Sequence, residues 1–567
     1  MARHRTGQGQ IWHPFARASR GLCILVLACV GPNAANAQDQ PAAKRYQQTV
    51  PVLARYPDLD LKLETPALAN GRTAYTTHTE LETFIAGLTA APAAAAHLTR
   101  LMLGTTPGGR TLPVLLMSKE GVTTPEALVR LRRPIVWLIG QQHGDEPAGG
   151  EAMLALARAV SDGELTPLLD RISIVVVPRA NPDGAAADQR ENAAGLDINR
   201  DHGLLTQPET RMLHGLVQQA PPAMVIDAHE FTVGRRWVEK LGGLQAVDLM
   251  VLSSTHPMTP EPVKRLSESV FQPALQKAIA GYGITSFVYH TTSGRTGDHS
   301  ISVGGSAPGI ARNAFGLMGA VTFLLETRGV GIGFDSYQRR VGTHYIAARA
   351  LLQTAAQNAA QLATMAADVR ALDAAATRDI VLSHTIAKTM TALPLVEPLT
   401  GADRTATVAM DDTRSVTGTE VRARPAGYII PSNRVGAIRD QLELLGGTIC
   451  KLTRTTTMAI ERYDIQERFF VDRRAINPQR SLRVRIVAAN ETIAAGSSFI
   501  AVEQPAGARI ALALEPDAPG SLSAENLIND SDTSVVAIKR VPRQTMTPAI
   551  VERLECGRDM SNVRLSD

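Results

Sequence analysis

Cysteine is scarce in this sequence, with 4 residues in 567. None of them belongs to a C-x-x-C pair, which excludes a zinc site built from paired thiolates. Gly 45 and Pro 33 are close to average usage and exclude a collagen-like or low-complexity fibre. Charged residues make up only 20% and hydrophobic residues 44%, so the chain is too apolar to be disordered and long enough for two or three domains.

A secretory signal is predicted at the N-terminus. Residues 1–20 carry four arginines and no acidic residue, the apolar run GLCILVLACV follows at 21–30, and small residues precede a cleavage site after Ala37. Residues 1–37 are therefore predicted to be removed and the protein exported, to the periplasm or the extracellular space. The apolar run is too short to span a bilayer. A lipoprotein signal ending at Cys29 is the alternative, which the bulky Leu27 disfavours.

The excess of positive charge lies in this predicted signal. The chain has 58 Lys and Arg against 54 Asp and Glu. Without Arg3, Arg5, Arg17 and Arg20 the basic residues fall to 54 and equal the acidic ones. A neutral chain gives no reason to expect a nucleic-acid partner, and no transmembrane span is predicted after signal removal.

Two cysteines remain after the predicted cleavage, Cys450 and Cys556. An even pair in an oxidising compartment predicts a disulfide bond between them. Two buried free thiols are the alternative.

Apolar runs and helical segments alternate over residues 71–375, the predicted catalytic domain. The helical patterns cover 79–103 and 150–160, and the buried strands are predicted at 111–118, 134–140, 171–177, 224–228 and 320–325. This alternation predicts an α/β fold with a mixed, mostly parallel sheet and helices on both faces. Residues 38–70 are polar and predicted to form a lead-in on the surface.

The pattern changes after about residue 380. Residues 346–375 are Ala-rich with a helical period and predict the last helix of the α/β domain, with a coiled-coil seam as the alternative. Beyond them, β-rich stretches at 482–487 and 498–502 alternate with turn residues, and a helix is predicted at about 435–445. Residues 380–567 are therefore predicted to form a mainly β accessory domain. Its predicted role is structural support, and a substrate- or wall-binding module is the alternative.

Two of the predicted strands are followed by residue types that bind metals. His143 and Glu146 come directly after the strand at 134–140, and His229 follows the strand at 224–228. Open α/β sheets place their sites at the carboxyl ends of the strands, so these three side chains are expected to converge. Two imidazoles and one carboxylate are a catalytic zinc set that leaves a fourth position for water. A solvated loop pair is the alternative for His143 and Glu146.

A third strand and a long loop supply further candidates. The strand at 320–325 ends in Glu326, a candidate general base, for which an ion pair with Arg328 is the alternative. The irregular stretch 178–203 is long enough to indicate a functional loop. Its polar residues can bind a substrate carboxylate or an oxyanion, namely Arg190, Asn199 and Arg200. A solvated loop covering the sheet edge is the alternative.

Taken in order, these segments resemble the zinc metallocarboxypeptidase family, of the carboxypeptidase A and B type. The resemblance is carried by HGDE, NPDG, REN…GLDINRD, DAH and ETR, over about residues 70–375. It implies one zinc ion per chain, with His143, Glu146 and His229 as the ligands. The stretch beyond 380 resembles the extra β domain of some large bacterial members.

The resemblance also implies roles for the remaining candidates. It makes Glu326 the general base and acid, Arg190 the group that polarises the scissile carbonyl, and Asn199 with Arg200 the clamp on the substrate's terminal carboxylate.

The family also has a substrate-facing tyrosine on a mobile loop before the glutamate. Counting back from Ser293 and Gly294 leads to His290, one residue after Tyr289. Tyr289 is the predicted tyrosine, and a plain strand residue is the alternative. The register of this loop is too loose to name a preference for the substrate's last residue.

These inferences predict a secreted, zinc-dependent metallocarboxypeptidase that hydrolyses the C-terminal peptide bond of peptides with a free C-terminus. Three alternatives remain open. They are a cell-wall carboxypeptidase for D-amino acid or diaminopimelate bonds, an N-acyl amino-acid deacylase of related fold such as the aspartoacylase type, and an inactive binding protein.

Overall fold

The computed structural model describes residues 45–90, 96–375, 378–471, 479–528 and 534–556. The predicted signal 1–37 therefore lies outside the described residues, which all belong to one compact unit. Within the described residues, no helix combines the length and the apolar character needed to cross a bilayer.

Nineteen strands occur in the described residues. They are β1 Leu98–Thr105, β2 Thr111–Met117, β3 Ile135–Gly140, β4 Ser173–Val177, β5 Met224–Thr232, β6 Leu244–Gln245, β7 Leu249–Leu252, β8 Ser286–Val288, β9 Ile301–Val303, β10 Val321–Val330, β11 Ile380–Val396, β12 Asp403–Arg422, β13 Gly427–Ile430, β14 Cys450–Leu452, β15 Thr456–Val471, β16 Gln479–Ile493, β17 Ser498–Ala501, β18 Lys539–Val541 and β19 Leu554–Cys556.

The α-helices of the described residues are mostly short. They are Val50–Leu53, His78–Ala90, Pro125–Arg130, Pro147–Ser161, Pro182–Ala187, Pro208–Gln219, Arg236–Leu241, Glu261–Leu266, Gln272–Ala280, Ala311–Leu317, Tyr337–Gln357, Ala359–Ala374, Ser432–Val435, Arg439–Leu444, Gly507–Leu514 and Pro548–Val551.

The central sheet has eight strands in the order β1-β2-β4-β3-β5-β10-β7-β8. The four inner strands β4, β3, β5 and β10 run parallel, and antiparallel pairs occur towards both edges. Alternate side chains of β3 enter two different cores: Val136 and Leu138 pack with the helix Pro147–Ser161, whereas Trp137 packs with the helix Pro208–Gln219. The predicted mixed, mostly parallel sheet with helices on both faces is confirmed.

Two further sheets involve the C-terminal part of the chain. The long hairpin β11–β12 joins β6 and β9 in a four-stranded sheet, with β12 parallel to β9. The remaining strands form a seven-stranded sheet in the order β16-β15-β18-β13-β17-β14-β19. The predicted β-rich C-terminal part is therefore present, and its exact boundary stays a prediction.

The predicted disulfide links the last two strands at one end of this sheet. Cys450 on β14 is paired in register with Cys556 on β19, and the two are bonded through sulfur. The bridge is confirmed and closes a loop with a sequence separation of 106.

Some predicted elements were wrong in type or extent. One or two helices were predicted over 79–103. A helix is present at His78–Ala90, whereas Leu98–Thr105 is the edge strand β1. The periodicity of a short apolar run does not distinguish a helix from a strand. Here the segment is a strand because it pairs with β2. The Ala-rich segment forms two helices that meet at Asn358, and the helix predicted at 435–445 begins only at Arg439.

The lead-in predicted to lie on the surface is partly buried. Val52 is fully buried, and Tyr56 is 5% exposed with its ring under the guanidinium of Arg328. Most of the described residues of 45–70 are exposed or half-buried. The few buried apolar side chains were not predicted, because they are spaced too widely to form a pattern in a polar stretch.

Candidate metal centre and active site

The three predicted metal ligands meet at the carboxyl edge of the central sheet. His143 and Glu146 lie in the loop 141–146 between β3 and the helix Pro147–Ser161, and His229 lies on β5, the parallel neighbour of β3. All three are buried, and one ligand atom from each lies within 4.8 Å of the others. No other group of three such side chains converges in this way within the described part of the chain.

The ligand atoms face one common point. Nδ1 of His143 lies 2.8 Å from Oε1 of Glu146 and 3.0 Å from Nδ1 of His229. Nδ1 of His229 lies 2.8 Å from Oε2 of Glu146. Zinc–nitrogen bonds of about 2.0–2.1 Å bring ligands around one ion to about this separation, so the donor set fits zinc.

Each imidazole turns its other nitrogen towards a carboxylate. Nε2 of His143 lies 3.2 Å from Asp197, and Nε2 of His229 lies 3.0 Å from Asp227. A carboxylate at this position accepts the Nε2 proton and leaves Nδ1 free to bind a metal. Both aspartates were missed as site residues. The signal for Asp227 was its position two residues before His229, because residues i and i+2 of a strand share a face.

The charges around the ligands favour a cation between them. Burial lowers the pKa of His229, but Asp227 and Glu146 outweigh burial and raise that pKa well above its ordinary value. The same carboxylates would favour a metal ion at this point, which supports the assignment of the cluster as a metal site.

Glu326 faces this cluster from the next strand. It lies on β10 in register with His229 on β5. Its carboxylate has no hydrogen bond or ion pair to any described residue. Burial and the charge of Glu146 raise the pKa of Glu326 to about 8. The alternative pairing with Arg328 is wrong, since that guanidinium lies over the ring of Tyr56 and donates to Gln48.

Arg190 contacts the ligand set directly. Its Nη1 lies 3.0 Å from Nδ1 of His143 and 3.3 Å from Oε1 of Glu146, while Nη2 donates to Asp197 at 2.8 Å. Burial lowers the pKa of Arg190, but the charges of Asp197 and Glu146 outweigh burial and raise that pKa above its ordinary value. The guanidinium therefore stays charged. A fixed cation next to the metal position suits an oxyanion.

Asn199 and Arg200 lie side by side, and their environments differ. Asn199 is buried, with Oδ1 accepting from the backbone N–H of Ala311 at 2.8 Å and Nδ2 lying 3.2 Å from Nε2 of His229. The side chain of Arg200 is 39% exposed and donates to the carbonyl of Asn199. Arg200 is therefore the more accessible of the two to a substrate carboxylate.

Tyr289 follows β8 and lies close enough to Glu326 and Arg200 for their charges to act on its phenol. Burial and the charge of Glu326 raise the pKa of Tyr289, while Arg200 opposes them. His290, the residue reached by counting along the loop, instead bonds to Gln245 and to the carbonyl of Val288. The structure thus brings Tyr289, rather than His290, close to the other candidates.

Buried hydrogen bonds continue behind the ligands. Gln142 donates to Asp227 at 2.8 Å and lies 2.8 Å from Nε2 of His202, whose Nδ1 lies 3.1 Å from His214. These contacts hold Asp227 in place. No signal in the sequence pointed to this hydrogen-bond network, since its members come from four separate segments.

Comparison with known proteins agrees with this geometry. Residues 88–234 match the family model described as zinc carboxypeptidase. That range contains the cluster of His143, Glu146 and His229, whereas Tyr289 and Glu326 lie outside it.

Related chains match over a greater length. Carboxypeptidase 2 of Trichophyton equinum is 30% identical over 436 residues, which is 74% of this chain and 78% of the relative. Carboxypeptidase 2 of Trichophyton rubrum is 29% identical over 434 residues, again 74% of this chain and 78% of the relative. The crystal structure of a metallo-carboxypeptidase from Burkholderia cenocepacia is 21% identical, with a TM-score of 0.36, and the match covers 48% of this chain and 68% of that one.

Proposed function

Because the chain belongs to the zinc carboxypeptidase family and is a peptide-bond hydrolase, we propose that it removes residues from the C-terminus of peptides at the His143, Glu146 and His229 cluster, with one zinc ion per chain. The observation that carries the proposal is the position of Glu326. Its carboxylate lies opposite His229 and has no partner among the described residues. A buried carboxylate beside a metal site, with no structural partner of its own, is available to move protons.

The proposed mechanism assigns a task to each side chain. Zinc, when bound, supplies Lewis-acid activation of a water molecule and of the substrate carbonyl. A carboxylate oxygen of Glu326 takes the proton of the attacking water and passes it to the nitrogen of the leaving amine. The guanidinium of Arg190 stabilises the negative charge that develops on the carbonyl oxygen.

Binding of the substrate's end makes the proposed enzyme an exopeptidase. Arg200 takes the terminal carboxylate through charge-assisted hydrogen bonds, while the buried Asn199 holds the loop next to it. The phenol of Tyr289, the residue that follows β8, covers the bound C-terminal residue of the substrate. Holding the last residue in this way fixes the scissile bond next to the base.

The experiment compares peptides with a free and an amidated C-terminus. Free-acid peptides should be shortened one residue at a time, and their amides should be cut at least about tenfold less efficiently, because the amide loses the charge-assisted pair with Arg200. Arg200→Ala should lower kcat/KM for the free acid and leave the amide nearly unchanged, which makes the amide the internal control.

Other outcomes would identify other functions. Equal cleavage of acid and amide would refute the carboxylate clamp. Cleavage restricted to N-acyl amino acids would identify a deacylase, and cleavage restricted to D-amino acid or diaminopimelate bonds a cell-wall peptidase. Binding of peptides without any cleavage would identify a binding protein.

We also propose that the protein is exported after removal of residues 1–37. The support is the order of charged, apolar and small residues at the N-terminus and the disulfide between Cys450 and Cys556. N-terminal sequencing of protein recovered from the periplasm or the medium should begin at Gln38. An intact N-terminus on protein found only in the cytoplasm would refute export.

A further inference from the structure

Arg312 is a buried cation with no counter-ion among the described residues. It lies in the helix Ala311–Leu317, is 3% exposed, and donates through Nη2 to the carbonyl of Gly305. Its Nε has no hydrogen-bond partner, and the guanidinium forms no ion pair with any described residue. Burying a charge without a partner is costly, so this guanidinium calls for an explanation.

Backbone contacts bring the segment that carries Arg312 onto the proposed carboxylate clamp. The N–H of Ala311 donates to Oδ1 of Asn199 at 2.8 Å. A Cβ placed on Gly309 would lie 2.4 Å from the carbonyl oxygen of Arg200, so the backbone segments at Gly309 and Arg200 are in direct contact.

The guanidinium itself lies beside Tyr289. A Cβ placed on Gly304 would be 2.7 Å from Nη2 of Arg312 and 3.2 Å from Cδ1 of Tyr289, so both groups lie against the same backbone position. Arg312 therefore lies beside Tyr289, and its segment contacts the backbone of Arg200, the two residues proposed to hold the last residue of a substrate.

None of the nearby acids in the described part of the chain forms an ion pair with Arg312. Burial and the charge of Arg200 together lower its pKa to about 10, against the opposing charges of Tyr289, Glu326 and Asp227. Asp227 is already bound by His229 and Gln142. The charges of Arg200 and Arg312 are thus close enough to act on each other, beside the proposed position of the substrate's last residue.

We propose that Arg312 binds a carboxylate on the side chain of the substrate's C-terminal residue, so that the enzyme prefers peptides ending in Glu or Asp. This inference rests on the proposed function. Arg200 takes the main-chain carboxylate and Arg312 the side-chain carboxylate, so two anions match two cations. A neutral side chain would leave Arg312 buried and unpaired.

The test uses zinc-loaded enzyme and N-blocked dipeptides that differ only in the last residue: Glu, Gln, Leu or Lys. Glu and Gln have nearly the same shape, so their ratio isolates the charge. The wild type should cleave the Glu peptide with a kcat/KM at least about tenfold above that of the Gln peptide. Arg312→Gln should abolish that ratio by slowing cleavage of the Glu peptide, with the Gln and Leu peptides changed less than about threefold.

Two variants serve as controls. Arg312→Lys keeps the charge and should retain part of the preference. Arg295→Gln alters an exposed arginine of the same connection between β8 and β9 and should leave the Glu to Gln ratio unchanged. A change in the ratio in Arg295→Gln as large as in Arg312→Gln would overturn the assignment to Arg312.

A binding measurement separates this inference from the proposed function. Calorimetry with free L-glutamate and L-glutamine, the amino acids that cleavage would release, should show at least about tenfold tighter binding of glutamate, lost in Arg312→Gln. Peptides left uncut together with Arg312-dependent glutamate binding would refute the carboxypeptidase and keep the subsite. Active enzyme with equal kcat/KM for Glu and Gln peptides would refute the subsite and keep the carboxypeptidase. Arg312→Gln that slows all peptides equally would make Arg312 structural and overturn the inference.

Discussion

Glu326 and the proposed zinc ligands differ in how far their neighbours restrain them. Each ligand imidazole is held by an aspartate behind it, whereas the carboxylate of Glu326 has no partner among the described residues. Restrained ligands keep a metal in one geometry, and an unpaired carboxylate can accept and release a proton without breaking another bond.

Glu326→Gln is therefore expected to separate metal binding from turnover. The variant should retain about one zinc per chain and the wild-type melting temperature, since no described contact is lost, but kcat should fall by several orders of magnitude because an amide cannot accept the water's proton. Metal analysis and steady-state kinetics check both. His143→Ala is the matched control and should lose zinc. Near-normal kcat in Glu326→Gln would assign the base to another carboxylate.

The loop between β3 and the following helix depends on a close contact with a second element. Gly144 N–H donates to the carbonyl of Arg190, and a Cβ on Gly144 would lie 1.9 Å from the carbonyl carbon of Gly184 in the helix Pro182–Ala187. The loop that carries His143 and Glu146 and the loop that carries Arg190 are thus packed backbone against backbone.

Gly144→Ala should push these two loops apart. We expect at least about tenfold weaker zinc binding and lower kcat/KM, because the added methyl group overlaps backbone that cannot rotate away. Zinc affinity measured by competition with a chelator checks this. Gly163→Ala is the mutational control, since that glycine has no atom near its Cβ position, although its positive φ adds local strain. Unchanged zinc affinity in Gly144→Ala would show that the loops can separate without cost to the site.

The disulfide between β14 and β19 closes a long loop in the seven-stranded sheet. Replacing Cys450 and Cys556 together by Ala should lower the free energy of unfolding by about 2–4 kcal/mol, because the reduced chain gains conformational freedom when unfolded. Calorimetric unfolding checks the stability, and peptide mapping without reduction should find the bridge in the native protein. Two alkylatable thiols in native exported protein would contradict it.

Buried histidines couple the stability of the whole molecule to pH. Burial lowers the pKa of His202 and His290 to about 4 and that of His256 and His344 to about 3. An unfolded chain protonates these imidazoles near their ordinary pKa of 6.5, so between 6.5 and 4 it binds more protons than the folded chain. Their contribution to stability is complete above 6.5 and is lost as the pH falls.

Between pH 7 and 5 these histidines lower the free energy of unfolding as the pH falls, whereas Glu326, with its raised pKa, acts in the opposite direction. The contribution of one histidine is therefore measured by comparing urea unfolding of the wild type with that of a variant. Carboxylates such as Glu80, whose pKa Arg72 lowers to about 2, contribute only below about 4.5. His256→Asn is the matched variant, because Oδ1 can replace Nδ1 as the acceptor for the N–H of Met258. Its stability should depend less steeply on pH, by up to one proton. An unchanged slope would show that His256 does not titrate in this range.

How much the sequence predicted depends on whether a property is local. The buried strands at 134–140 and 224–228 were predicted because an apolar run between polar turns has one favourable location, the interior of a sheet. His143, Glu146 and His229 come directly after or within such strands, so their convergence followed from the parallel arrangement. The edge strand β1 could not be predicted, because pairing with β2, not its own pattern, makes it a strand.

By itself, the sequence determined the α/β fold, the ligand cluster and the position of Glu326, since each depends on short segments and on the rule that parallel strands end at one edge of a sheet. The tertiary structure alone decided that Asp197 and Asp227 lie behind the proposed ligands and that Arg312 lies beside Tyr289. It also decided that Glu326 has no partner among the described residues, while Arg328 packs on Tyr56. The physical reason is that the surroundings of a buried charge come from segments far apart in the chain. Their contacts form only when loops on different strands pack together, and no periodicity in the sequence records them.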